Sequence, residues 1–392
     1  MPIALIALAV GAFGLGTTET IVMGLLPELS SGLGVSIAQA GLLVSGYALG
    51  VTVASPVVAV LTNAYSRRYT LLLTMAIFTL GNALSTLAPG YWALMVARVV
   101  TSFSHGTFYG AASVMACQLV PPHQRAKALS LVYIGLTLAM ILGVPMGTVV
   151  AQFSSWRVAF GLIALIGLAA WLSIYAWIPQ DKVSGPPVRL YAQLHAMTRP
   201  LVVTMMLVSL FTSASMFSLF TYITPFLQIR TGFTAHTIDL VLLLIGGGLC
   251  LGNLLGGRLA DWKMLPSCAG LMAAVTIVQL LLVPGSLYAW SCLALLFLWG
   301  VFIYAPMAPL QSYVVTCSGS APNIASAMNQ SSFNLGNAIG AWAGSLLVAG
   351  PESYAKLPVL SAAFAAIGCV LVFIAKYFEK RMQAEQPTQN AA

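Results

Sequence analysis

Pro27-Glu-Leu-Ser-Ser-Gly-Leu-Gly-Val-Ser36 and Pro225-Phe-Leu-Gln-Ile-Arg-Thr-Gly-Phe-Thr234 lie 198 residues apart, each at the close of an apolar run. The same offset aligns Pro27 with Pro225, Gly34 with Gly232, Gly50 with Gly248, and Asn63 with Asp261. Any two hydrophobic halves share some Gly and Pro at loop edges. A single offset held across two apolar runs and their loops is harder to obtain that way and marks an internal repeat.

The composition around this repeat excludes whole classes. Of 392 residues, 59% are hydrophobic and 6% charged, and the mean hydropathy is +0.94. Soluble domains carry about 25% charged residues. The chain therefore reads as an integral membrane protein, and soluble-enzyme, nucleic-acid-binding and disordered readings drop out. The net charge of +8 does not restore a nucleic-acid reading, because the basic residues are spread through short loops and form no patch. The six cysteines form no CxxC pair and sit almost entirely in apolar runs, as small hydrophobes do. No disulfide framework, metal cluster or cofactor is implied. Met1 to Ala12 carry no basic residue, so this stretch is read as the start of the first span and not as a cleaved signal peptide.

A spanning helix needs about 20 mostly apolar residues. Charge, Pro and Gly place the breaks, giving spans at 3–27, 36–61, 69–88, 91–118, 126–151, 157–178, 201–228, 236–258, 265–284, 287–316, 323–349 and 355–377. The runs are long and do not alternate, which excludes a barrel. The expected architecture is an all-α membrane protein of twelve transmembrane helices in two pseudo-symmetric six-helix bundles. Residues 1–180 form one bundle and 200–392 the other, and the latter ends in a short tail. The linker at 181–199 holds Asp181, Lys182, Pro186, Pro187, Arg189, His195 and Arg199. With the N-terminus inside, the inner loops and tail carry Arg67, Arg68, Arg125, Lys127, Lys182, Arg189, Arg199, Arg258, Lys263, Lys376, Lys380 and Arg381, against Arg157, Arg230 and Lys356 outside. That bias predicts two cytoplasmic termini.

Four motifs carry a family resemblance over the whole chain. The loop after span eight reads Gly256-Gly-Arg258-Leu-Ala-Asp261-Trp-Lys263, and its first-half copy reads Ala59-Val-Leu-Thr-Asn63-Ala-Tyr-Ser-Arg67-Arg68. The end of span one reads Gly24-Leu-Leu-Pro-Glu-Leu29, followed by Leu33-Gly-Val-Ser36. Span four holds Arg98, with Ser104-His105-Gly106 below it, and span five holds Gly135, Gly143, Pro145 and Gly147. In these motifs the chain resembles the major facilitator superfamily, in its drug/proton antiporter branch, with bacterial sugar-efflux and drug-efflux members closest in pattern. The resemblance implies a cytoplasmic gating motif at Asn63, Arg67, Arg68, Arg258 and Asp261. Asn63 stands where the family usually has Asp, so the position keeps a hydrogen-bonding side chain and loses its charge. The resemblance also implies an antiporter motif at Gly135, Gly143, Pro145 and Gly147, where small residues and a Pro permit close helix contact and a kink. Such a protein is a monomer in the bacterial inner membrane.

Glu19, Arg98 and His105 stand out as ionisable groups deep in apolar spans. A mid-membrane charge costs roughly 2.5–3.5 kcal/mol on insertion scales, so such groups are functional candidates. At 1.5 Å per residue, Glu19 lies about 12 Å below the outer end of span one, Arg98 about 10 Å deep and His105 about 21 Å deep. Glu19 is thus expected level with Arg98, and in the family fold all three reach one central pocket. Desolvation disfavours a charged carboxyl and a nearby guanidinium favours it. If the first effect wins, Glu19 cycles a proton; if the second wins, it is a fixed ion-pair partner or a cation anchor. His105 fits either a proton relay or a neutral, hydrogen-bonded role.

Gln330, Asn334 and Asn337 in span eleven fall at i, i+4 and i+7 and share a helix face. They serve either interhelical hydrogen bonds or a cavity wall. Phe108, Tyr109, Phe217, Tyr222, Trp299 and Tyr304 are aromatic candidates for an apolar pocket, or for packing and an interfacial belt. The expected function is proton-coupled efflux of a small organic molecule by alternating access, with substrate, proton and lipid bilayer as partners. The alternative is an ion-uncoupled facilitator or substrate sensor of the same fold. No nucleophile–base set or metal cluster supports an enzyme.

Overall fold

The computed structural model describes residues 3–62, 65–121, 124–180, 198–318, 322–348 and 350–385. The expected linker at 181–199 therefore falls largely outside the described residues, as does Asn63. The fold is all-helical, with twelve spans. Among the described residues, ten segments are long and apolar enough to cross a membrane by length and composition alone. The other two are spans four and eleven. Span four, broken into Tyr91–Ser102 and His105–Gln118, carries Arg98, His105 and several hydroxyl side chains that dilute its hydropathy. Span eleven, Pro322–Ser345, is unbroken but carries the Asn/Gln stripe that dilutes its hydropathy. Both spans that miss the simple criterion bring polar groups to mid-membrane.

Capping hydroxyls set several helix starts. Ser66 accepts from Tyr69 N ahead of span three (Arg67–Leu87), and Ser155 accepts from Arg157 N ahead of span six (Trp156–Trp177). The repeat is visible in the backbone. Span one (Ile3–Gly24) breaks and resumes as Leu26–Leu33, while span seven (Pro200–Phe220) breaks and resumes as Ile223–Arg230. The resumed helices carry Pro27 and Pro225, which lack the N–H a continuous helix would use. Both then reach a left-handed glycine, Gly34 at φ 65° and Gly232 at φ 70°. A Cβ would be strained at either position, so glycine ends both turns. Spans four and ten are interrupted halfway in the same manner, at Phe103–Ser104 and at Ala305–Pro306.

Spans eight and nine run as one helical stretch, Ala235–Gly285, turned at Lys263 by an extended φ of −156°. Span five is three pieces: Arg125–Leu138, a π turn over Ala139–Gly143, and Val144–Phe153. Pro145 cannot donate to a carbonyl one turn back, and the π turn directly before it re-routes that ladder.

An even number of spans puts both termini on one side, here the terminal side. The opposite side is the far side. One buried apolar core runs through the N-terminal half and into the far half of the C-terminal bundle, from Leu8 and Phe78 to Phe226, Ile245 and Trp299. The terminal side of the C-terminal bundle keeps a separate cluster of Leu201, Met205, Leu265, Leu310 and Val372. The halves are therefore fused by apolar packing on the far side. Polar links follow the same line. Thr224 Oγ1 donates to Met23 O at 3.2 Å, and Ser45 Oγ to Ala338 O at 3.1 Å.

Candidate functional site

Glu19 sits on span one in the run Gly16-Thr-Thr-Glu-Thr20. Thr17 and Thr20 settle their hydroxyls locally, on Phe13 O at 2.8 Å and Gly16 O at 2.9 Å, whereas Thr18 donates to Asn82 Oδ1 of span three at 2.7 Å. The carboxyl too must find partners elsewhere. It finds them on both sides of the molecule. Asn337 Nδ2, on span eleven of the other half, donates to Glu19 Oε1 at 3.1 Å. His105 Nε2, on span four of its own half, stands 3.8 Å from Oε2. The oxygen of Asn337 in turn accepts from Ser213 Oγ on span seven.

The expected level pairing of Glu19 with Arg98 is not what the structure shows. Arg98 is almost wholly buried and donates to two backbone carbonyls, Nε to Leu43 O and Nη1 to Thr18 O, each at 3.1 Å. Its guanidinium carbon lies 4.6 Å from the centre of the Tyr47 ring. Side-chain lean explains the difference. Cβ atoms tilt toward a helix's own N-terminus. Span one starts on the terminal side, so Glu19 reaches back that way. Span four starts on the far side, so Arg98 reaches away from Glu19, and His105 reaches toward it. The turn at Phe103–Ser104, closed by Ser104 N to Thr101 O at 3.1 Å, seats His105 at the head of the lower helix.

Tyr47 of span two joins this cluster, with its hydroxyl 3.0 Å from His105 Nδ1. Nothing in the sequence distinguished it from other tyrosines in apolar runs. Tyr109 packs 5.2 Å from the His105 ring, donates to Ala12 O at 3.1 Å and stacks on Tyr133 of span five. The remaining aromatics divide. Phe108 is buried against Gly11, and Trp299 is buried against Phe220 at 6.0 Å. Tyr222 is buried with its hydroxyl on Ala341 O at 2.8 Å. These three are packing residues here. Phe217 is buried at the position that mirrors Glu19, and Tyr304 ends the upper half of span ten, partly exposed.

The amide stripe of span eleven does not act as one face. Asn337 bridges the halves. Asn334 turns back onto Gln330 O at 2.9 Å, leaving its Oδ1 buried without a partner among the described residues. Gln330 stays half-buried. The neighbouring Asn329 joins Gln311 of span ten at 2.6 Å.

The span-five motif forms a seam against span one. A Cβ at Gly135 would meet Ala9 O, one at Gly143 would meet Thr17, and one at Gly147 would meet Ile21. Pro145 O accepts from Thr148 Oγ1 at 2.8 Å. Of the gating residues, Arg68 reaches the last carbonyls of span six, donating to Tyr175 O at 2.6 Å, where a cation suits the helix dipole. Arg67 lies in the same first turn, and Arg258 is exposed. The Asp261 side chain lies outside the described residues.

One buried acid escaped the sequence reading, which placed only Glu19, Arg98 and His105 at depth. Asp239 of span eight is 5% exposed. It accepts from Thr148 Oγ1 at 2.5 Å and from Gln152 Nε2 at 3.2 Å, both on span five of the other half. It lies one turn inside its helix, where an acid ordinarily meets water. Among the described residues, no group of three or more His, Cys, Asp and Glu is arranged to hold a metal ion.

The architecture recurs in known proteins. The sequence model of the Major Facilitator Superfamily matches residues 8–341. The chain belongs to the major facilitator superfamily. It is 39% identical over 370 residues to the inner membrane transport protein YdhP of Escherichia coli K12, covering 94% of this chain and 95% of that one. To the MFS-type transporter YtbD of Bacillus subtilis it is 36% identical over 348 residues, 88% of each chain. A bacterial homologue of the human lysosomal transporter Spinster, crystallised inward-facing and unoccupied, superposes with a TM-score of 0.73 at 15% identity, covering 96% of both chains. This major facilitator protein is thus a membrane transporter, and the Glu19 cluster lies where its two bundles meet.

Proposed function

We propose that this transporter is a proton-coupled antiporter that exports a small organic molecule across a bacterial inner membrane, with both termini in the cytoplasm. The observation that carries the reading is the hydrogen bond from Asn337 to Glu19, a carboxyl of one bundle held by an amide of the other. A hydrogen bond to an ionised acceptor is roughly twice as strong as a neutral one. Charged Glu19 therefore grips the opposite bundle harder than neutral Glu19. Proton binding loosens that grip and biases the equilibrium between the two arrangements of the bundles. Substrate competes for the same carboxyl and its amide partner, so proton and substrate alternate.

The seam between spans one and five supports this reading, because it lets Glu19 move as part of a rigid N-terminal bundle. So does Arg98, which is tied to backbone carbonyls and leaves the Glu19 carboxyl without a fixed ion pair. Ligands found by thermal shift on the purified protein would be tested in proteoliposomes with an imposed pH gradient. The proposal expects uphill accumulation that a protonophore abolishes. Downhill flux indifferent to the protonophore would make the protein an uncoupled facilitator.

A further inference from the structure

His105 stands between two oxygens of different character. Its Nε2 faces the Glu19 carboxyl at 3.8 Å and its Nδ1 faces the Tyr47 hydroxyl at 3.0 Å. A neutral imidazole carries one N–H, and the hydrogen bond at one nitrogen settles which nitrogen has it. Tyr47 is 1% exposed, and His105 is its hydroxyl's partner among the described residues. A buried phenolic O–H left without an acceptor costs free energy, so this hydroxyl donates to Nδ1. The single N–H of the ring is then on Nε2, pointing at Glu19. The opposite tautomer would aim the Nε2 lone pair at a carboxylate oxygen while orphaning the phenol.

Two further contacts hold Tyr47 in place. Arg98 lies over its ring face at 4.6 Å, and the rings of Tyr47 and His105 meet edge-on at 5.9 Å. Arg98 thereby acts on the cluster through Tyr47 without touching the carboxyl.

We propose that Tyr47 is a positioning residue that holds His105 as its Nε2–H tautomer, so that His105 presents an N–H toward Glu19 and takes no proton from it. A proton arriving at Glu19 then finds Nε2 already occupied and stays on the carboxyl. Without the Tyr47 hydroxyl nothing holds Nδ1 as an acceptor, so the Nδ1–H form becomes accessible. In that form the Nε2 lone pair can accept from protonated Glu19. The titratable and charged groups around the ring are Glu19 on span one, Tyr47 on span two, Arg98 and Tyr109 on span four, and Tyr133 on span five behind Tyr109. Tyr304 on span ten lies within electrostatic reach of Glu19.

The functional consequence rests on the coupling role of Glu19, whereas the tautomer does not. The test is nitrogen NMR on the purified full chain with labelled histidine and no substrate, His105 being assigned through His105→Gln. The expected result is Nε2–H in the wild type and a loss of that preference in Tyr47→Phe, which keeps the ring under Arg98. An Nδ1–H ring in the wild type, or an unchanged tautomer in Tyr47→Phe, overturns the proposal. An Nδ1–H ring in the wild type overturns the proposal even if the variant does not fold. In proteoliposomes, Tyr47→Phe moves the pH profile of flux upward, and it has no added effect in a His105→Gln background. An equal effect in both backgrounds assigns Tyr47 a packing role and overturns the proposal. The expected tautomer in a protein that moves no protons removes the coupling reading and leaves the positioning role standing.

Discussion

The Glu19 carboxyl meets His105 and not Arg98 because side chains on two oppositely directed helices lean in opposite senses. Counting residues along the spans puts Glu19 level with Arg98; the direction of each Cα–Cβ bond decides which one it reaches. Glu19, Arg98 and His105 were legible in the sequence because an ionisable group in an apolar run has no other ready explanation. Tyr47 was not, since a tyrosine's hydroxyl acquires meaning only from what it faces. Asp239 was hidden by its place near a helix start, where acids are common and usually wet. At this scale Asn337 makes a sharp prediction. Asn337→Ala removes the donor to the partly buried Glu19 carboxyl and strands the buried Ser213 hydroxyl. Leaving a buried polar group unpaired costs about 1–3 kcal/mol, so the variant should unfold at lower temperature in detergent than Gln330→Ala at the half-buried end of the stripe. Equal midpoints would show that the amide does not bridge the bundles.

Span five shows best how far a helix could be read from its letters. Its Gly and Pro spacing predicts close contact and a kink, and the structure gives a glycine seam on span one. The π turn ahead of Pro145 needed the backbone, because the sequence says that a ladder bond is missing and not how it is replaced. The break in span four was likewise unread, for no proline or glycine lies at Phe103–Ser104, whereas that in span ten falls at Pro306. Gly135→Ala should separate spans one and five, since the new methyl meets backbone atoms Ala9 O and Phe13 N that cannot yield. Over-packing of this kind costs about 1–3 kcal/mol. Gly270→Ala, inside a helix and where a Cβ meets open space, should match the parent or gain up to about 1 kcal/mol. Matching thermal stabilities for the two variants would contradict the seam.

For the whole molecule, the repeat and the twelve spans were legible because a bilayer demands long apolar runs and a duplication leaves one offset. How the bundles lean on each other was not, for that depends on pairs such as Asp239 with Thr148 that lie far apart in the chain. Asp239→Ala should loosen the far-side closure. Hydrogen bonds between membrane helices average roughly 0.6 kcal/mol, so losing two is worth about 1 kcal/mol, or a roughly fivefold shift between arrangements. A cysteine at Thr224, in a background freed of the six native cysteines, should then react faster with a membrane-impermeant maleimide; an unchanged rate would place the seal elsewhere. The claim on which the account turns is that the Glu19 carboxyl carries the proton that drives the bundles. Its most direct test is flux in proteoliposomes with Glu19→Gln, measuring substrate exchange and gradient-driven accumulation side by side. The account predicts that accumulation against a gradient is lost at every pH and that exchange, which uses the same carboxyl, weakens with it; accumulation at the parental rate across the pH range would contradict it.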